Sequence, residues 1–339
     1  MRTTVATICI IRRESRRRFL VVVIAFGSWL GSSGCSQFRD VQIPEPIRSF
    51  TDPEFGRKYL LYRPSLYDRR HDWPLVVVCH GSFPDSPRDR VRAWANWAES
   101  RGIFILAPTL EGVGGSLGSG GEGQLAALRR DERHILSAVQ HVRGGHSISD
   151  DRIFLDAWSD GAAPALYTGL LHPELFRAIS VEKPKVPTSL MTEALTHVDE
   201  YQPIQVLYPS SDALTGKKGR DCADWLRING LSVRTDSLLA AKSDDARAAA
   251  DFFEEVLRRV PWLLIRSYVP TSDRPREYQF KLQSSFEPKA YHWEFGDGQD
   301  SPIAQPIHSF FAGGSFRVIL SVTDPKGVSH RRATTLHVP

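Results

Sequence analysis

Cysteine is scarce in this chain, with four in 339 residues. Cys9 and Cys35 belong to an apolar N-terminal segment, which leaves Cys79 and Cys222 for everything after it. Two isolated cysteines cannot hold zinc, and no Cys-x-x-Cys or His-x-x-x-His spacing supplies partners, so no metal is expected. A single disulfide between them stays open. Long hydrophobic runs are also lacking, and a mean hydropathy of −0.27 excludes a polytopic membrane protein. The Gly-rich patch Glu111–Gly123 is followed by no Gly-Lys-Ser/Thr, and no strand-GxGxxG-helix register fits, so neither a phosphate cradle nor another cofactor is expected. The basic balance is local. Residues 1–34 carry six Arg and one Glu; removing that surplus of five from a net charge of +4 leaves the remainder at −1. A nucleic-acid partner has no electrostatic footprint here.

What the front of the chain does have is a basic stretch, an apolar core of about a dozen residues and small residues before Cys35, the layout of a cleaved export signal. Ser15-Arg16-Arg17-Arg18-Phe19-Leu20 resembles the twin-arginine export motif. Ser32-Ser33-Gly34-Cys35 resembles a bacterial lipoprotein cleavage box, although Ser32 replaces the usual larger aliphatic residue. The resemblance implies export, lipidation of Cys35 and a membrane partner reached through that lipid, at the periplasmic or outer-membrane face. Residues 1–35 are thus read as the signal and 36–56, aperiodic and Pro-containing, as a tether.

From Arg57 onward the pattern turns regular. "KYLLYRP", "PLVVVCH", "GIFILAP", "RIFLDAW", "AISV" and "IQVLYP" are β-type runs separated by amphipathic, helix-compatible segments. Several are apolar throughout, as strands become when helices cover both faces of a sheet. The alternation predicts a doubly wound, mostly parallel α/β domain over 57–260. From about Arg266 no helix is expected, and "SFRVILSVTD" alternates at period two, predicting an immunoglobulin-like β-sandwich over 266–339.

Within the first domain, "DAWSDGAAPAL" sets Ser159 between a strand and a helix, with small Ala157 and Gly161 where a sharp strand-to-helix turn tolerates no bulk. "WPLVVVCHGSF", "IFLDAWSDGAAPALYTGLLHPELFRAISV" and "PIQVLYPSSDAL" resemble α/β-hydrolases, particularly bacterial esterases of the polyhydroxybutyrate depolymerase and feruloyl esterase type. That resemblance implies Ser159 as nucleophile, Asp212 as acid, and backbone N–H groups of Ser82 or Phe83 and of Asp160 as the oxyanion hole. His80 is read as a buttress of the oxyanion loop. Trp94 and Trp97, three apart, read as packing against the sheet. The family's histidine should follow the last strand, "SVRTDSLL", but that slot reads Ala241-Lys242-Ser243, and no histidine occurs between His197 and His292. A serine hydroxyl needs a base. Lys242 is the first candidate and His197 the second, with His134 and His146 weaker.

Finally, Trp293-Glu294-Phe295-Gly296-Asp297-Gly298, then His308-Ser309-Phe310 and Gly314-Ser315-Phe316, resemble the PKD domain, with His308 read as a packing residue. The sequence therefore predicts an exported serine-esterase-like hydrolase acting on ester bonds with its usual histidine gone. The alternative is an inactive envelope protein that binds or scaffolds a glycan or protein ligand.

Overall fold

The computed structural model describes residues 47–113, 121–209, 213–238 and 246–339. Eight strands form one sheet: β1 (Arg48–Thr51), β2 (Lys58–Tyr62), β3 (Trp73–Cys79), β4 (Phe104–Pro108), β5 (Ile148–Trp158), β6 (Ala178–Glu182), β7 (Ile204–Pro209) and β8 (Val233–Leu238). Their order across the sheet is β1-β2-β4-β3-β5-β6-β7-β8. β1 and β2 are antiparallel at one edge; β4 through β8 run parallel. This is the mostly parallel α/β arrangement expected from the sequence.

Five helices cover the sheet. α1 (Pro87–Arg101) and α5 (Arg247–Arg259) pack on one face, where Trp94 and Phe253 meet Val76, Val78 and Phe154. α2 (Gly121–Gly145), α3 (Ala162–Leu171) and α4 (Ala213–Ile228) pack on the other. Both faces of the central strands are thereby dry, which is why their sequences are apolar without alternation. α1 has conventional signals: Ser86 caps its first turn, a proline opens it, and Gly102 closes it in the left-handed region.

After α5 the chain enters a sandwich. One sheet has the order β13-β10-β9, with β9 (Leu263–Tyr268), β10 (Glu277–Ser284) and β13 (Ile307–Ser309). The other has the order β12-β11-β14-β15, with β11 (Ala290–Glu294), β12 (Asp300–Ser301), β14 (Gly314–Thr323) and β15 (Ser329–Val338). Trp293, Phe295, Phe280 and Leu320 fill the space between them. His308 stacks on Phe295 with ring centres 3.9 Å apart and bonds Asp297 at 2.8 Å, the packing role read from sequence.

The structure differs from the sequence reading at three boundaries. β1 lies inside the expected tether, and buried Asp52 ties the following turn to α2 by accepting from Ser137 Oγ at 2.7 Å and pairing with His134. A four-residue edge strand with three exposed positions leaves too little pattern to read. The sandwich starts at Leu263, because β9 pairs with β10 from that residue. The Gly-rich patch ends early, since α2 begins at Gly121; residues 114–120 lie outside the described residues. Cys79 and Cys222 are both buried and free, so there is no disulfide between them.

The sandwich is docked on the segment between β6 and β7. Arg332 Nε pairs with Asp199 Oδ2 at 2.9 Å, their side chains 12% and 1% exposed. Arg317 pairs with Glu200, and Thr335 Oγ1 donates to Thr196 O at 3.2 Å.

Candidate active site

Ser159 follows β5 directly and has φ = 54°, a left-handed conformation that a non-glycine residue rarely adopts. A short turn, Ser159–Gly161, then feeds α3. The turn is tight because the end of β3 presses on it. A Cβ on Gly161 would stand 2.4 Å from Cys79 O and 2.5 Å from His80 O, so only glycine fits. A Cβ on Gly81 would meet Ser159 Cβ at 3.3 Å, which places the loop after β3 against the serine. The strand-turn-helix geometry expected around Ser159 is present.

The loop after β3 is shaped by His80. Its Nδ1 lies 2.7 Å from Gly81 O, and its Nε2 accepts from Leu110 N at 3.0 Å. Burial lowers its pKa, which suits a neutral ring holding two backbone groups. His80 thus buttresses this loop, as expected of it.

Two carboxylates stand at this loop, Asp85 on it and Asp160 on the turn after β5. Asp85 Oδ2 accepts from Gly81 N at 2.6 Å, while its Oδ1 takes Arg90 Nε at 2.8 Å. Asp160 Oδ2 accepts from Ser82 Oγ and from Lys185 Nζ, the latter at 3.2 Å. Lys185 N also donates to Ser159 O at 3.0 Å. Between these pairs lies Trp158, with Arg90 4.6 Å and Lys183 4.1 Å from its ring centre on cation–π contacts. Lys183 pairs in turn with Glu182 at 3.7 Å. Phe83, the other expected oxyanion residue, is 95% exposed.

Among the described residues, three ion pairs and an indole lie around the Ser159 turn. Sequence reading missed Asp85, Arg90, Lys183 and Lys185. The signal was available: "PDSPRDR" and "VEKPK" follow the C-terminal ends of β3 and β6, where this architecture places ligands.

All eleven histidines fall among the described residues, and each is engaged elsewhere. His134 pairs with Asp52 at 2.8 Å. His146 contacts Val142 O and packs on Phe104. His172 takes Glu132 at 2.7 Å. His197, expected as a second candidate base, lies in the junction with the sandwich, its Nε2 3.5 Å from His337 Nε2. His71 and His141 bond Asp68 and Tyr59. His292, His308, His330 and His337 sit in the sandwich. Asp212, Lys242 and Cys35 lie outside the described residues. Trp94 is buried and donates to Asp156 at 2.8 Å, the packing role expected of it.

Residues 271–338 match the PKD domain family. A pre-pro-metalloprotease, PrtV, of Vibrio cholerae is 45% identical over 49 residues, 14% of this chain; the chain spans only 5% of that relative's length. The solved PKD1 domain of PrtV is 31% identical, covering 23% of this chain and 95% of that one, with a TM-score of 0.21. A butyrate-bound esterase of Thermogutta terrifontis is 11% identical, covering 63% of this chain and 94% of that one, with a TM-score of 0.48.

Proposed function

We propose that this chain is an exported, lipid-anchored envelope protein in which a hydrolase domain holds a ligand instead of cleaving it. One observation carries the reading: every histidine is bonded away from Ser159. Without an adjacent histidine the hydroxyl lacks its usual base, and losing a triad member removes several orders of magnitude in rate. Asp85 and Asp160 reinforce it. An oxyanion hole gathers donors for developing negative charge; here two carboxylates already stand beside that loop, accepting from the Gly81 N–H and the Ser82 hydroxyl.

The rim suits a ligand with both hydroxyls and apolar faces, as a glycan has. Phe83 offers a stacking surface and Asp160 and Lys185 offer polar partners. The PKD sandwich, docked through Arg332 and Arg317, serves as a spacer or a second contact. The export and lipid-anchor parts of the reading rest on residues 12–37 of the sequence.

A second reading has its own support. The left-handed Ser159 is the strained conformation an active elbow keeps, and it fits an esterase that uses Lys242 and Asp212. Fluorophosphonate labelling of the full chain separates the two, with Ser159→Ala as control and the adduct mapped by mass spectrometry. The binding reading expects no Ser159-dependent adduct in folded protein. An adduct lost in Ser159→Ala would overturn it in favour of ester hydrolysis, and Lys242→Met would then test the base.

A further inference from the structure

A cavity of about 690 Å³ lies towards the opposite end of the central strands, between the C-terminal turn of α1, the second half of α5 and the starts of β3 and β5. Phe154, on its wall, precedes Ser159 by five residues, on the order of 16 Å of extended strand. It is therefore distinct from the cleft at Ser159, and its function is independent of the fate of that serine.

Its inner wall is apolar and aromatic, built from Val76, Trp94, Phe154 and Phe253. Two leucines on its lip, Leu66 and Leu257, are 78% and 38% exposed. A volume within the range of small-molecule sites and large apolar side chains at the mouth suit an apolar ligand body.

The polar groups define the other end of the ligand. Arg101 lines the cavity and is held firmly. Its guanidinium lies 4.6 Å from the Trp97 ring centre, and Nη2 meets Asp251 at 3.1 Å and Glu254 at 3.3 Å. Its Nη1 is buried and has no acceptor among the described residues. A buried donor left unpaired is destabilising, so an acceptor is expected there. A second guanidinium, Arg152, lines the same cavity, fixed by Ser149 Oγ at 3.1 Å and Asp72 O at 2.7 Å. The carboxylates are further out. Asp68 and Glu254 are about half exposed, whereas Arg101 and Arg152 are 27% and 35% exposed. The less solvated charges are cationic, and bidentate pairing with carboxylate is what a guanidinium does best.

We propose that this cavity binds a carboxylate carrying an apolar tail, its head received by Arg101 and Arg152 and its tail laid along Trp94, Phe154 and Phe253. The interaction is reversible and breaks no bond. Exposure on both leucines falls when the tail is seated, and the orphaned Nη1 gains its acceptor.

The test titrates purified full chain with sodium dodecanoate, dodecanol and dodecyltrimethylammonium, followed by calorimetry and tryptophan fluorescence. The expected result is saturable 1:1 binding of dodecanoate at least tenfold tighter than either other amphiphile. Arg101→Met and Arg152→Met should each weaken dodecanoate at least fivefold and leave dodecanol unchanged. Ala250→Trp, which fills the cavity from α5, should abolish dodecanoate binding in protein whose melting temperature shows it folded. Absence of saturable binding to the unmodified chain would overturn the proposal. So would equal affinity for dodecanol, preference for the cationic amphiphile, or indifference to both arginine substitutions. The comparison among head groups needs no variant, so a misfolded substitution does not rescue the idea.

Discussion

Asp156→Asn should stabilise this protein at neutral pH. Asp156 sits on β5, half-buried in the layer between the sheet and α1. Burial pushes its pKa up from 3.8 to about 6, against the pull of the Trp94 N–H, the Arg90 charge and the Ser180 hydroxyl. An acid whose folded pKa is raised contributes stability that is fully present below its unfolded pKa, near 4. That contribution is lost as pH rises through the folded value, near 6. A shift of about two units corresponds to at most ~3 kcal/mol, and partial water access reduces that to about 1–2 kcal/mol. Asparagine avoids the charge. Its amide oxygen can still accept from Trp94, and its N–H can meet Ser180 Oγ, whose own proton goes to Gln205 Oε1 at 3.2 Å. The assay is urea unfolding of both proteins at pH 4.5, 5.5, 6.5 and 7.5. The variant's advantage should grow between pH 4.5 and 6.5 and stay level above that. An advantage independent of pH, or a less stable variant at pH 7.5, would refute the desolvation argument.

Two further predictions concern the frame around the site. Arg332→Ala should cost about 3–5 kcal/mol in urea unfolding, because it leaves Asp199 buried and unpaired; adding Asp199→Asn should recover most of the loss, and a loss below 1 kcal/mol would mean the pair is not what docks the sandwich. Gly161→Ala should cost ~3 kcal/mol or more, since its Cβ would fall 2.4 Å from a backbone carbonyl oxygen that cannot move without shifting β3. A urea midpoint unchanged from the parent would show the elbow to be looser than that.

Much of the architecture was legible from residues alone. Uninterrupted apolar runs such as "PLVVVCH" can be satisfied only between two helical layers, and "SFRVILSVTD" only on a sheet with one wet face. The elbow was legible because bulk is forbidden on either side of Ser159, a local constraint that leaves a local trace. β1 escaped notice because an edge strand has most of its side chains in water and shows no periodicity. Asp85, Arg90, Lys183 and Lys185 escaped because charged residues in loops and first helical turns look alike until folding brings them together beside the elbow.

The sequence by itself determined the layers, the sandwich and the missing histidine in its expected slot. It did so because strand and helix periods and forbidden side-chain volumes are properties of neighbouring residues. Only tertiary structure decided where the distant histidines lie. It sent His197 to the sandwich junction, fastened His80 to Leu110 and Gly81, and set carboxylates on the loop beside Ser159. It alone also gathered Arg101, Arg152 and Phe253 around one cavity. Most of those outcomes depend on contacts between residues tens to more than a hundred positions apart, which no local pattern encodes.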